Sequence, residues 1–83
     1  MEQQDLTPFG RRTVERLRTL KRDDDWLLEN LRQRGIYMSK ERYIEIITGQ
    51  VMSKQQELSI GRLLTDEEKI QELAKKVGIK RGN

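Results

Sequence analysis

The chain holds neither histidine nor cysteine. That removes the commonest general base, the commonest metal ligand, and every thiolate or disulfide. Carboxylates, lysines and arginines remain. Asp23, Asp24 and Asp25 form the densest acidic run. Three consecutive carboxylates cannot converge on one cation without further ligands, so the run reads as helix capping with solvated charge, or as an acidic surface for a protein partner. A carboxylate pair could in principle do acid–base work. The chain, however, has no phosphate-cradling glycine loop and little interior in which to raise a pKa. The expectation is a binding protein, not an enzyme, with no cofactor and no metal. The basic side chains crowd one segment, where Arg11, Arg12, Arg16, Arg18 and Arg22 follow one another closely. A solvated helix face accounts for them, with Arg16 also able to pair with an acid such as Glu29.

Eighty-three residues allow one core, and with 37% of them charged and only 34% apolar that core must be thin. Apolar stretches are short: Leu27-Leu28 and Ile46-Ile47 are pairs, and none exceeds three residues. Neither a membrane span nor a secretory signal is expected, which points to a cytoplasmic protein without a membrane partner. The net charge of +3 is unevenly spread. Residues 1–22 carry six basic and three acidic side chains, whereas residues 23–35 carry two and four. Such a balance permits a nucleic-acid partner without demanding one.

The elements that must position these side chains are helical, because nothing alternates with period two over strand length. Thr7-Pro8 is a helix start, and Phe9, Thr13, Leu17 and Leu20 form one stripe of a helix over about 8–21. The aspartate run then caps and complements a second helix over about 24–34, packing through Leu27, Leu28, Leu31 and Trp26 and stopping at Gly35. Ser39 caps a third over about 39–48, with Tyr43, Ile46 and Ile47 inward and Gly49 as its stop. The β-branched residues in 43–48 also allow a short strand, but the caps favour helix. Ser53 with Gln56 opens a fourth helix, packing through Leu58, Ile60, Gly61, Leu63 and Leu64. Gly61 inside it costs roughly 1 kcal/mol unless a close helix approach compensates. Thr65 with Glu68 resembles a second capping box, which predicts a fifth helix over 65–78 carrying Ile70, Leu73, Ala74 and Val77. Residues 1–6 are expected to be disordered and 79–83 frayed. The fold class is therefore all-α, a compact bundle of about five short helices.

The second and third helices, joined by a glycine-containing turn, form the skeleton of a helix-turn-helix unit. Over about 7–64 the sequence resembles the Cro and repressor type helix-turn-helix regulators of phages, prophages and mobile elements, the Xre family. Thr7-Pro8-Phe9-Gly10-Arg11-Arg12 is similar to the opening of the first helix in these proteins. Trp26-Leu27-Leu28-Glu29-Asn30-Leu31 is similar to the scaffold helix. The segment from Met38 to Gly49 is similar to the recognition helix with its closing glycine and carries the most specific likeness. The stretch Leu31 to Ile36 is about three residues longer than the common version.

The resemblance implies a lambda-repressor-like domain over 7–64 and a transcriptional regulator that occupies a double-stranded DNA operator through helix 39–48. Carried onto this chain, the base-contacting positions are Lys40, Glu41 and Glu45, while Ser39 and Arg42 suit phosphate or sugar. Lysine can donate to guanine and glutamate can accept from cytosine N4. Arg18 and Arg22, on one edge of the first helix, would contact the DNA backbone and position the duplex without reading it. Helix 65–78, with Ile70, Leu73 and Val77, would serve as a homodimer surface or simply cap the domain. Two features depart from the pattern. Asp24, between Asp23 and Asp25, stands where many relatives place a phosphate-binding glutamine, and the recognition helix is electrically neutral. They motivate an alternative, a module of the same fold that binds a protein, such as an antirepressor or a modulator of a host regulator.

Overall fold

Thr7 is extended, and its hydroxyl accepts the Gly10 N–H at 2.9 Å, turning the chain into a helix at Pro8. The same device, a short polar side chain taking the N–H three residues on, starts every other helix. Asp23 takes the Trp26 N–H at 2.9 Å, Ser39 that of Arg42 at 3.0 Å, and Ser53 that of Gln56 at 3.3 Å. The structure is a computed structural model describing residues 5–78, and among these it has four helices and no strand. They are α1 (Pro8–Leu20), α2 (Asp24–Gln33), α3 (Lys40–Ile47) and α4 (Lys54–Lys76).

The helix ends are as uniform as the starts. Arg22 N–H reaches the Leu17 carbonyl at 2.9 Å while Lys21 N–H reaches Arg18 at 3.0 Å. Ile36 and Gly35 close α2 onto Leu31 and Arg32 in the same way, as do Gln50 and Gly49 on Glu45 and Ile46 of α3. This paired closure places one residue in the left-handed region. Gly35 and Gly49 supply it at φ 85° and 81°, whereas after α1 the position falls to Lys21 at φ 62°.

The core forms where the inward stripes meet: Leu17 and Leu20 of α1, Leu27 and Leu31 of α2, Tyr43, Ile46 and Ile47 of α3, and Ile60, Leu63 and Leu64 of α4. Phe9 and Trp26 are half-buried at its rim. Leu6 also packs against the core. The segment expected to be disordered, residues 1–6, thus already contributes at Leu6. Residues 1–4, like the expected frayed tail 79–83, lie outside the described residues.

The expected fifth helix does not exist as a separate element, because α4 runs unbroken through Thr65. No helix end precedes Thr65, and the residues of the expected box have another task. Arg16 donates to Glu68 Oε2 and Oε1 at 2.7 and 2.8 Å and to Thr65 Oγ1 at 3.1 Å. Arg16 therefore pairs with Glu68 and not with Glu29, which is taken by Arg32 one turn away at 2.6 Å. The neighbouring acids fasten α4 elsewhere, Glu67 to Arg22 at 3.0 Å and Asp66 to Arg34 at 2.8 Å. Past Leu64, α4 leaves the core, and Leu58 before it is exposed too, contrary to the packing role expected of it.

The glycine required by close packing is Gly10. A β-carbon there would sit 2.9 Å from the Ile47 carbonyl carbon and closer still to its oxygen, whereas one at Gly61 would meet nothing within 4 Å. No helix approach compensates for Gly61. Gly10→Ala should therefore lower stability by about 1–3 kcal/mol, since the obstacle is backbone. Gly61→Ala should raise it by about 1 kcal/mol. Urea denaturation of the two variants checks both signs.

Hydrogen bonding from Arg16, and then its charge, hold the Glu68 carboxyl below the usual glutamate range. A carboxyl lowered on folding stabilises fully above that range, and the contribution disappears as pH falls through the lowered value. Exposure limits it to about 1 kcal/mol or less. Thermal melts across the acid range should show Glu68→Gln less stable near neutrality and converging on the parent protein as pH falls.

Candidate nucleic-acid interface

α3 is short and sharply two-sided. With Tyr43, Ile46 and Ile47 inward, helical spacing turns Lys40, Glu41, Ile44, Glu45 and Thr48 outward. Lys40, Glu41 and Ile44 are exposed, while Glu45 and Thr48 are half-exposed. The three expected base-contacting residues therefore share one face, and Ser39 lies at its leading end.

Both ends of α3 are pinned. At its first turns the Tyr43 hydroxyl donates to Asp24 Oδ1 at 3.0 Å. Burial first, then the Asp24 charge and hydrogen bond, push the Tyr43 phenol well above its ordinary pKa, so it stays a neutral donor. At the last turn the Ile47 carbonyl accepts the Thr7 N–H at 3.0 Å and the Thr7 hydroxyl at 3.2 Å. An eight-residue helix is too short to be stable alone, so these bonds and the buried face hold its shape.

The remaining expected residues are placed as follows. Lys40 Nζ lies 3.3 Å from Asp25 Oδ1, with both side chains mostly exposed. Asp23, Asp24 and Asp25 thus each hold a different partner: the Trp26 N–H, the Tyr43 hydroxyl and the Lys40 ammonium. The Ser39 hydroxyl caps α3, and Arg42 Nε donates to Gln56 Oε1 at 3.0 Å, which turns that side chain toward the start of α4. Arg22 is held by Glu67 and stacks over the Trp26 ring, 5.0 Å from its centroid. Arg18 is exposed and lines a shallow depression with Arg22, Asp23 and Asp24. Ile70 and Leu73 of α4 and Val77 at its C-cap are all exposed, at 61%, 62% and 60%.

Sequence reasoning missed Ile44 as a member of this face. The signal was present, since the inward 43/46/47 spacing forces position 44 outward, but a β-branched apolar residue reads as core or strand. Among the described residues no group of three or more acidic side chains is arranged to hold a metal ion. Glu29 and Glu68, the carboxyls with shifted pKa, are both lowered by arginine partners, the opposite of what a general acid requires. No described helix is long and apolar enough to cross a membrane. No family model matches the chain, and neither does any curated protein or solved structure.

Because Tyr43 ties α3 to the start of α2, Tyr43→Phe should lower stability by about 1 kcal/mol while preserving the apolar packing. Asp24→Asn should cost less, since its amide oxygen can still accept from the phenol. Denaturant unfolding of the two variants measures the difference.

Proposed function

We propose that this chain is a sequence-specific DNA-binding transcriptional regulator that acts by occupying an operator, with α2 and α3 as a helix-turn-helix unit. The carrying observation is the outward face of α3, which gathers Lys40, Glu41 and Glu45 on a helix fixed at both ends. A lysine donor and carboxylate acceptors complement guanine and cytosine edges, respectively. With its side chains an α-helix is ~10–12 Å across, which the ~12 Å width of the major groove admits. Ser39, Arg42, Arg18 and Arg22 supply polar and cationic groups for phosphate, with no reading role. The resemblance to Cro and repressor type proteins of phages and mobile elements agrees with this reading.

Operator recognition of this kind uses two copies on half-sites about one helical turn apart. The exposed stripe of Ile70, Leu73 and Val77 is the surface on which two copies would pair. The same stripe favours the second reading, a protein-interaction module such as an antirepressor, which would dock its partner there.

Duplexes selected from a random library should be bound with an affinity that falls steeply with salt, because phosphate contacts release counterions. Lys40→Ala and Glu41→Ala should each weaken the selected site by about 1–3 kcal/mol and relax one base position. Asp25→Asn should tighten binding up to about fivefold by releasing Lys40 and removing a like charge from the phosphates. Electrophoretic mobility shifts measure all three. Retention of a protein partner with no salt-dependent duplex binding would favour the second reading.

A further inference from the structure

We infer that Ile44 reads the C5-methyl group of a thymine in the major groove, an assignment that rests on the DNA-binding reading above. Ile44 is 39% exposed in the middle of the outward face of α3. It stands one turn after Lys40 and Glu41 and one turn before Thr48, with Glu45 beside it. Ile44 is neither part of the hydrophobic core nor among the side chains packed against it, and its own helix buries Tyr43, Ile46 and Ile47 instead.

The setting of Ile44 distinguishes a base from a protein as its partner. A protein-docking surface gathers apolar side chains along one face, and Ile70, Leu73 and Val77 are exposed at helical spacing along the end of α4 and its cap. Within α3, Ile44 is the one exposed apolar residue, and the neighbouring outward positions are Lys40, Glu41, Glu45 and Thr48. The thymine methyl is the one apolar group that the major-groove edge of a base pair presents, and small apolar side chains are its usual complement. Thr48 turns its hydroxyl back to its own chain. Its Oγ1 donates back to the Ile44 carbonyl at 2.7 Å and accepts from Gln50 Nε2 at 3.1 Å.

Spacing adds a positional constraint. One helical turn separates Lys40 and Glu41 from Ile44, ~5.4 Å along the helix, against ~3.4 Å between successive bases of a strand. The thymine therefore lies within about two base pairs of the positions that Lys40 and Glu41 read.

The test uses the full 83-residue chain. Duplexes selected from a random library should contain an invariant thymine within about two base pairs of the positions relaxed by Lys40→Ala and Glu41→Ala. Replacing that thymine by deoxyuridine deletes only the methyl group, and the parent protein should bind the product about fourfold more weakly, the scale of burying one methyl. Ile44→Ser, which presents no methyl group to the base, should bind both duplexes equally, with its melting temperature confirming that it folds. Tight duplex binding with no invariant thymine there, or equal binding of thymine and deoxyuridine by the parent protein, overturns the role of Ile44 alone. Ile44→Ser that still discriminates the two also overturns it. Failure to enrich any duplex removes the DNA-binding reading and this inference with it.

Discussion

The carbonyl of Ile47 is the point on which the arrangement depends. A helix ends with carbonyls that its own backbone cannot satisfy. Here Thr7 meets one of them twice, through its backbone N–H and its hydroxyl, while the same hydroxyl caps α1. One threonine thereby ends α3 and begins α1. The two helices can approach so closely only because Gly10 leaves room for the carbonyl. The direction in which α3 presents its outward face follows from this joint and from the Tyr43 to Asp24 bond at the other end.

Two acidic triplets divide the remaining work of assembly. Successive helical residues point about 100° apart, so consecutive acids cannot serve one partner, and in this chain they do not. Asp66, Glu67 and Glu68 reach Arg34, Arg22 and Arg16, fastening α4 to the end of α2 and to both the middle and the end of α1. Asp23, Asp24 and Asp25 bind the α2 backbone, Tyr43 and Lys40. Individually such surface pairs contribute little. Together they join α4 to α1 and to the end of α2 outside the thin apolar core. Counting charge therefore misleads about function here, since much of the arginine is engaged by α4.

Local signals were legible in the sequence and long-range ones were not. Thr7, Asp23, Ser39 and Ser53 each act within three residues, so their chemistry alone announces a helix start. Gly35 and Gly49 announce ends for the same reason. Thr65 with Glu68 has the letters of a capping box. Whether they cap depends on whether a helix has just ended, and the answer came from Arg16, some fifty positions away. The two glycines exchanged roles for a similar reason, because Gly61 sits inside a helix and attracts notice while the crowding at Gly10 is set by a residue on α3. At the candidate site, the face of Lys40, Glu41 and Glu45 was legible from period alone. The membership of Ile44 was hidden by its apolar identity, and the partner of Lys40 by lying on another helix.

On the DNA-binding reading proposed above, the electrical neutrality of α3 would have a physical consequence for recognition. Nonspecific attraction to DNA comes from cations near phosphates. On the outward face of α3, Lys40 is opposed by Glu41, Glu45 and the nearby Asp25, so this surface would gain little from an arbitrary duplex. General attraction would fall instead to α1, where Arg11, Arg12 and Arg18 are exposed and make no ion pair among the described residues. Such a division would raise the ratio of specific to nonspecific binding, the quantity that matters among the many competing sites of a genome. It would also make a lone copy weak. The proposed pairing of two copies through the exposed apolar stripe at the end of α4 would offset that weakness, because joining two copies adds a second half-site without adding charge to the reading face.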